Sequence, residues 1–184
     1  GDKLAASARS VKGFDVYNAL EACTDHIEQF GGHMYAAGLT LAESQYDGFK
    51  KKFEEVVSGS IENYMLTPEI SIDAEIKLTD INPKFYRILK QFEPHGPGNM
   101  SPVFLSTNLK DSGYGKCVGG DDLHLKCAVK QGNSKSQIGA IGFNLGPKKE
   151  LISNSQSFDA VYSIDENEWN GNVSLQLKLK DIKA

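Results

Sequence analysis

The stretch Phe30-Gly31-Gly32-His33-Met34-Tyr35-Ala36-Ala37-Gly38 differs most from ordinary packed sequence. Five of its nine residues are glycine or alanine. Two adjacent glycines allow positive φ angles, and their backbone N–H groups can converge into a concave nest that suits an anion. The histidine after them can donate a hydrogen bond to a phosphate oxygen. One interpretation of the stretch is therefore an anion-binding site.

A purely structural interpretation explains the same stretch. In that alternative a helix ends at Phe30, Gly31 is its left-handed C-cap, and a strand of small residues packs closely against a neighbour. The spacing of the residues alone does not separate the two interpretations.

Outward from the glycine pair, the flanking segments predict a small α/β unit over residues 1–66. Residues 4–8 and 36–42 fit strands, and Ser44 with Asp47 forms a capping signal for a helix with three exposed lysines. Before the glycines, apolar residues recur at steps of four and three, which predicts a helix capped by Asp15 that runs into Gly31. The predicted inward residues of that helix are Val16, Leu20, Cys23, Ile27 and Phe30.

From Pro68 onward the apolar period changes to two, which is typical of half-exposed strands. Residues 70–78 alternate, and further strands are predicted near 103–105, 124–130, 138–143, 158–164 and 173–179. A short helix begins at Asn82-Pro83, a Gly- and Pro-rich loop follows at 93–99, and Asn170-Gly171 predicts a hairpin turn. Residues 67–184 therefore predict a small closed barrel of the oligonucleotide-binding type, and the whole chain an α+β fold.

Composition limits the classes of protein that the chain can represent. Its 184 residues are 40% hydrophobic and 24% charged, typical of a globular protein, and the net charge of -4 disfavours nucleic-acid binding by bulk charge alone. No apolar run reaches the roughly 20 residues that cross a bilayer, and no signal peptide is evident, so we expect a cytoplasmic protein without a membrane partner. Three widely spaced cysteines support neither a disulfide framework nor a zinc knuckle.

Arginine is scarce in this chain, where Arg9 and Arg87 are the two examples. Guanidinium groups bind phosphate in a bidentate manner, so Arg9, beside Ser10 at the end of a predicted strand, is a candidate phosphate ligand. A solvated surface arginine is the alternative.

Signals for catalysis are mostly negative. The four histidines are scattered, and neither a nucleophile elbow nor a P-loop occurs. Asp121-Asp122-Leu123-His124 has residue types that bind cations, but a turn before a strand explains it more simply. The sequence therefore predicts no catalytic residue of its own.

Two sets of motifs together resemble RecJ-type single-strand-specific exonucleases of bacteria. Ser7-Ala8-Arg9-Ser10, Gly13-Phe14, the helix around Asn18 to Cys23, and Phe30-Gly31-Gly32-His33 before Ala36-Ala37-Gly38-Leu39 resemble the DHH-associated domain of that family. A second set of motifs resembles the family's oligonucleotide-binding barrel. These motifs are Phe92 to Asn99 ahead of Pro102-Val103-Phe104, His124-Leu125, Asn167-Glu168-Trp169-Asn170-Gly171 and Gln176-Leu177. The resemblance covers essentially the whole chain.

The resemblance implies the C-terminal portion of a 5′-to-3′ exonuclease of DNA repair and recombination. In that family, two Mn²⁺ or Mg²⁺ ions are bound by an N-terminal DHH domain, which this chain lacks, so no metal or nuclease activity is expected here. The partners it implies are single-stranded DNA, the DHH half of the same polypeptide, and a single-strand-binding protein or a helicase.

Site residues carried over from the family lie in both halves. The resemblance implies that substrate phosphates near the metal centre are contacted by Arg9, Ser10, Gly31, Gly32 and His33. Stacking and lysine contacts along the barrel are assigned to Tyr114, Lys126, Trp169, Gln176 and Lys178. A core or turn anchor is the alternative role for the tryptophan.

Two other functions stay open. An RNA-directed phosphoesterase of the DHH group would share the glycine-histidine stretch, although the barrel disfavours it. A free-standing module that binds single-stranded nucleic acid is the other alternative.

Overall fold

The computed structural model describes residues 2–134, 136–153 and 156–184 of the chain. The chain divides into two compact units, residues 1–70 and 71–184. The predicted domains, 1–66 and 67–184, differ from these units by the segment 67–70, which belongs to the N-terminal unit.

The N-terminal unit is a small antiparallel sheet covered by helices on one face. The strands are hydrogen-bonded in the order β1-β3-β2. Single 3₁₀ turns lie at Thr24–His26, Glu43–Gln45 and Asn63–Leu66. The main elements in chain order are β1 (Lys3–Arg9), α1 (Val16–Glu21), β2 (Gln29–His33), β3 (Ala36–Ala42) and α2 (Tyr46–Ser60).

Alternation along β3 separates a packed face from an open one. Ala37, Leu39 and Leu41 are buried, as period-two burial predicts, and the residues between them are less buried. Leu20 of α1 packs fully buried against this face, and Phe53 of α2 is partly buried on it. The core of the unit therefore lies on one side of the sheet.

The predicted helix from Asp15 to Phe30 is wrong beyond Glu21. Asp15 does cap α1, accepting a hydrogen bond from the Asn18 backbone N–H. After α1 the chain makes a 3₁₀ turn and then enters β2, so Phe30 lies in a strand. Ile27 and Phe30 still pack against the core, which means that their spacing predicted their burial and not their secondary structure.

The second predicted helix exists, but its predicted capping signal is wrong. Gln45 is the N-cap of α2, and no side chain there accepts a hydrogen bond from the first turn. Phe49, Phe53 and Val56 of this helix pack against the core, whereas Tyr46 is exposed.

The C-terminal unit is rich in strands. A short helix, α3 (Pro83–Leu89), begins at the predicted Asn82 cap, whose side chain accepts hydrogen bonds from the N–H groups of Lys84 and Phe85. A 3₁₀ helix at Gly146–Ile152 follows β8. The strands are β4 (Ala74–Glu75), β5 (Phe104–Asp111), β6 (Lys116–Val118), β7 (His124–Gln131), β8 (Ile138–Gly142), β9 (Phe158–Trp169) and β10 (Asn172–Lys183).

These strands close into a barrel, as predicted. The pairing runs β5-β9-β10-β8-β7, and β7 pairs back to β5, which completes the ring. β8 and β10 are parallel, and the other pairs of the ring are antiparallel. β6 extends the sheet beyond β7, and β4 lies beside β5. The fold is therefore α+β, with an OB-like barrel.

Period-two alternation predicts the interior of the barrel correctly. The inward side chains of β7 and β9 are buried in one continuous core with Leu177 and Leu179 of β10. The β9–β10 hairpin turns at Asn170 and Gly171, whose φ angles of 50° and 77° match the predicted turn.

The regular strand predicted over residues 70–78 is wrong. Ladder pairing is confined to Ala74 and Glu75, Ile70 and Ile72 are exposed, and Leu78 begins a 3₁₀ turn. Among the residues that the structure describes, this segment has one strand neighbour, β5, and pairs with it over two residues. Alternation indicates which side chains share a face, but a strand also requires a partner along its length.

Two further expectations concern the membrane and the cysteines. No helix within the described residues is long and apolar enough to cross a membrane. Cys23 and Cys127 are buried and Cys117 is half-buried, all as free thiols. Burial raises the pKa of the Cys127 thiol to about 12, which disfavours the reactive thiolate.

Candidate nucleic-acid interface

The open face of the N-terminal sheet brings the predicted phosphate ligands together. Arg9 on β1 is opposite Ala36 on β3, and Ala36 is opposite His33 on β2. The next row on this face joins Ser7, Gly38 and Gly31. Directly opposed residues of antiparallel strands point to the same face, so Arg9 and His33 flank a floor of small residues. Two strand spacings put their backbones about 10 Å apart.

The Arg9 and Ser10 side chains differ in the hydrogen-bond donors that remain available to a ligand. One guanidinium N–H of Arg9 donates to the Ala8 carbonyl at 2.8 Å, and the side chain is exposed, so its other donors point to solvent. The Ser10 hydroxyl donates to the Phe14 carbonyl at 2.5 Å. Because a hydroxyl has one proton, Ser10 uses it within its own turn and shapes the loop after β1.

A backbone contact sets the orientation of the His33 imidazole. The Tyr35 N–H donates to His33 Nδ1 at 3.3 Å, and the Tyr35 ring lies edge-on to the imidazole with centroids 6.2 Å apart. An accepting Nδ1 places the proton of the neutral ring on Nε2. His33 therefore presents an Nε2–H donor beside the small-residue floor.

The glycine pair forms neither the predicted nest nor the alternative helix C-cap. Both glycines lie in β2, an edge strand, opposite Gly38 and Ala37. Gly32 has φ of 150°, and a Cβ there would lie 2.3 Å from the Ala36 carbonyl oxygen. A Cβ on Gly31 would meet nothing within 4 Å. Gly32 is therefore required by the backbone, whereas Gly31 keeps the open face flat.

On the barrel, the register aligns lysines in one outer row. Lys116 is opposite Lys126, Lys126 is opposite Ile141, and Ile141 is paired with Lys178. These side chains point away from the core, because their neighbours along β7 and β10, such as Leu177, are buried. The row crosses β6, β7, β8 and β10, about 14 Å at the usual strand spacing. Neither Lys116 nor Lys126 forms an ion pair with any residue that the structure describes.

The same outer face continues along the β9–β10 hairpin to Trp169. Gln176 lies two residues before Lys178, and Trp169 is opposite Asn172 at the hairpin end. By alternation, Trp169, Asn172, Gln176 and Lys178 share one face, and the strand from Asn172 to Lys178 is about 20 Å long. Trp169 is 73% exposed, so its indole is available for stacking, and the alternative of a core anchor does not hold. The register thus brings Lys126, Trp169, Gln176 and Lys178 onto one continuous surface.

Lys178 is already paired on this surface. Its ammonium contacts the Asp165 carboxylate on β9, and Asp165 also accepts from the Tyr86 hydroxyl at 3.2 Å and from the Glu166 N–H at 2.8 Å. Partial burial alone would raise the pKa of Asp165, but hydrogen bonds from Lys178, the Glu166 backbone and Tyr86 outweigh it and lower that pKa. Lys178 is therefore a partly neutralised cation, unlike Lys126.

Tyr114 lies in the loop between β5 and β6, so strand register does not assign it to either row. It is 67% exposed. Asp111 orders the loop, because its Oδ2 accepts from the N–H groups of Gly113 and Gly115, both at 2.9 Å, and its Oδ1 accepts from Ala128 at 3.3 Å. The tyrosine is thus presented to solvent on a fixed loop.

Three features of this surface were missed from sequence. Lys116 lies in a strand of three residues, which is too short for an alternation signal. Ile141 falls in an apolar run that the sequence could not divide into inner and outer faces. The third is a cleft beside Asp165 and Lys178, which the motif from Phe92 to Phe104 lines in part, although its sequence did not indicate a cavity.

The Asp121–His124 segment has the turn geometry that the simpler explanation predicts. Asp121 and Asp122 both have positive φ within a 3₁₀ turn, and His124 Nδ1 accepts from the Asn144 N–H at 3.2 Å. Among the described residues, no group of three or more His, Cys, Asp or Glu side chains is placed to hold a metal ion.

Comparison with known families assigns both units. The RecJ OB domain model matches residues 72–181, and the DHHA1 domain model matches residues 1–59. The chain belongs to the RecJ family. The resemblance found in the sequence is therefore confirmed.

The relatives are longer proteins named as exonucleases. The single-stranded-DNA-specific exonuclease RecJ of Bacillus subtilis is 29% identical over 95% of this chain and 22% of its own length. The RecJ exonuclease of Salmonella typhimurium is 28% identical over 97% of the chain and 31% of its length. This chain thus spans less than a third of the curated RecJ proteins that it matches.

Solved structures support the same fold. RecJ of Thermus thermophilus in complex with Mn²⁺ matches with a TM-score of 0.77 at 22% identity, over 98% of this chain and 25% of that one. The Mg²⁺ complex of RecJ from the same organism matches with a TM-score of 0.73 at 20% identity. At this identity the likeness establishes the fold.

Proposed function

We propose that this chain is the substrate-binding C-terminal portion of a single-stranded-DNA-specific 5′-to-3′ exonuclease of DNA repair and recombination. One observation carries the proposal: Lys116, Lys126, Gln176, Lys178 and Trp169 share one outer surface of an OB-like barrel. Lysines that track a backbone, with an aromatic ring on which a base can stack, are typical of sequence-tolerant single-strand binding. The names of the relatives supply the substrate class.

The N-terminal sheet would hold the phosphates of the strand. Arg9 supplies exposed guanidinium donors and His33 supplies Nε2–H, one on each side of Ala36. The floor between them has no long side chains, so a sugar-phosphate backbone can approach the sheet closely. An arginine and an imidazole N–H together match the charge and acceptor oxygens of a phosphodiester.

Bond cleavage belongs to another part of the parent protein in this proposal. The Thermus structures were solved with Mn²⁺ or Mg²⁺. The described residues of this chain do not fit such a centre, because they offer no cluster of metal ligands. We therefore assign this chain binding and positioning of the strand, and the divalent metals to the DHH half.

Titration of this chain with a fluorescent single-stranded DNA of about 15 nucleotides at several salt concentrations tests the proposal. Lys126→Ala should reduce the slope of log K against log salt by about 0.7, because one phosphate contact is lost. Arg9→Ala should weaken binding in the same salt-dependent manner. Lys51→Ala, on the exposed surface of α2, is the matched control and should change neither affinity nor slope.

The proposal fails if the wild-type chain does not bind the oligonucleotide, or if Lys51→Ala weakens binding as much as Lys126→Ala. RNA of the same sequence separates the alternatives, since a clear preference for RNA would favour an RNA-directed phosphoesterase. With Mn²⁺ added, the chain alone should release no nucleotides. Release that a point substitution in this chain abolishes would contradict the assignment of catalysis to the DHH half.

A further inference from the structure

A cleft of 290 Å³ opens on the barrel where the outer surface reaches Lys178. Lys178, Asp165 and Ser163 belong to both the outer surface and the cleft. A strand that passes from Trp169 along β10 to Lys178 would therefore pass the mouth of the cleft. The volume is near the lower end of small-molecule sites, about 300 Å³, so it suits one ring system better than a whole nucleotide.

The cleft has an apolar floor and one polar wall. Phe104 is buried at its base, with Leu89 and Ile164 beside it. The polar wall is formed by Asp165 and the Tyr86 hydroxyl, which are hydrogen-bonded to each other. A flat aromatic ring with polar edges matches this combination, since its faces contact the floor and its edge reaches the wall.

The opposite rim is a loop held in one shape by Asn99. Its side-chain amide donates to the Phe92 carbonyl at 2.7 Å and to the Pro94 carbonyl at 3.0 Å, and its backbone exchanges two hydrogen bonds with Gly96. This loop carries His95 to the cleft. The rim is thus ordered by its own hydrogen bonds.

Lys90, the residue that follows α3, lines the cleft from another side. Its ammonium pairs with Glu166 at 2.7 Å and lies 5.3 Å from the centroid of the Tyr86 ring. Lys90 and Lys178, each paired with a carboxylate, line the cleft together with Glu93. These carboxylates disfavour entry of a phosphodiester, so the backbone stays outside while a base enters.

We propose that this cleft takes one nucleobase of the bound strand and prefers bases with an exocyclic amino group. Among the described residues, three donors reach the Asp165 carboxylate, from Tyr86, Glu166 and Lys178. A carboxylate has about four acceptor positions, so one remains for an amino hydrogen. A carboxylate accepts from the N4 amine of cytosine, whereas uracil and thymine present a carbonyl oxygen at the same position.

The test compares oligonucleotides dC15 and dU15, which differ at the base edge that Asp165 would contact. This inference rests on the proposed single-strand binding. The wild-type chain should bind dC15 about fivefold more tightly than dU15, within the range of one good side-chain-to-base contact. Asp165→Asn should abolish or reverse that preference, because an amide N–H can donate to the uracil oxygen. Glu168→Gln removes a carboxylate of the same hairpin outside the cleft and should leave the preference unchanged.

A second variant keeps the inference testable if Asp165→Asn unfolds the barrel. Ser101→Phe places a ring at the rim and should fill the cleft, which removes the preference for dC15 while dU15 binds as before. Equal wild-type affinity for dC15 and dU15, or a preference that survives both variants, would overturn the inference and leave single-strand binding intact. Absence of binding to either oligonucleotide would overturn the proposed function itself.

Discussion

The N-terminal sheet and the barrel present candidate binding faces that are built in opposite ways. On the sheet, the face between Arg9 and His33 is made of glycine, alanine and serine, and its shape is set by the backbone. On the barrel, Lys126 and Trp169 extend long side chains from a closed ring whose interior is fully packed.

The difference determines how each face can be damaged. A face that depends on absent Cβ atoms is sensitive to the addition of a single methyl group. A face that depends on long exposed side chains can lose one of them without loss of the fold, because surface truncations usually change stability by less than about 0.5 kcal/mol.

The largest expected effect comes from Gly32→Ala. The added Cβ would lie 2.3 Å from the Ala36 carbonyl oxygen at a φ of 150°, so strand β2 must shift away from β3. We expect a loss of about 1–3 kcal/mol in the free energy of unfolding of this unit, the cost of a strained backbone position. Hydrogen exchange of the β3 amides that are hydrogen-bonded to β2 measures this loss, because these amides are protected while the two strands stay paired.

Gly31→Ala is the matched control for that experiment. Its Cβ would point into open space, so stability should change by less than about 0.5 kcal/mol. Equal destabilisation by the two variants would contradict the distinct roles given to the two glycines. A stable Gly31→Ala chain that binds DNA more weakly would strengthen the argument that the open face contacts the strand.

A smaller effect is expected from Tyr162→Phe inside the barrel. The Tyr162 hydroxyl lies 2.7 Å from Ser106 Oγ, which in turn donates to the Ile76 carbonyl at 2.6 Å. Burial raises the pKa of Tyr162 to about 12, so the phenol stays neutral at physiological pH. Removal of the hydroxyl should cost about 1 kcal/mol, one net hydrogen bond. Urea unfolding followed by circular dichroism measures the loss.

Measurements of DNA binding should distinguish a substitution in the barrel interior from one on its surface. Tyr162→Phe should leave the salt dependence of binding unchanged, because the residue faces the core. If this buried change altered the salt slope as much as Lys126→Ala, the separation between a packed interior and an independent outer face would be wrong.

Most of the fold could be predicted from sequence where local signals agree with tertiary partners. β3, α3 with its Asn82 cap and the inward residues of β7 and β9 follow from alternation and capping. The helix to Phe30 could not be excluded, because residues at helical spacing can also reach the core from an extended chain. The strand over 70–78 failed because the sequence does not reveal that β4 has a partner over two residues.

The candidate site could be predicted only in part, for a related reason. The family motifs supplied Arg9 and His33, but their position across Ala36 depends on strand order, which no local pattern contains. Lys178 was predicted as a DNA contact, and its pairing with Asp165 depends on the register of β9 and β10. Residue type was therefore predictable, whereas pairing required the sheet.

The smallest expected effect concerns that ion pair under acid. The pKa of Asp165 is lowered in the folded chain from its ordinary value of 3.8. Its stabilising contribution is therefore fully present above about pH 4 and is lost as the pH falls through the folded pKa. Both partners are partly exposed, so the contribution should be about 0.2–1 kcal/mol. Urea unfolding of wild type and Asp165→Asn at several pH values measures the difference.

That difference should be constant between pH 7 and pH 5 and should shrink towards pH 2.5, because the wild-type carboxyl becomes protonated and the amide does not titrate. High salt should reduce it at neutral pH, since exposed charges are screened. A difference that persisted unchanged into acid would mean that Asp165 acts through its neutral hydrogen bonds, with Tyr86 rather than Lys178 as the partner that matters.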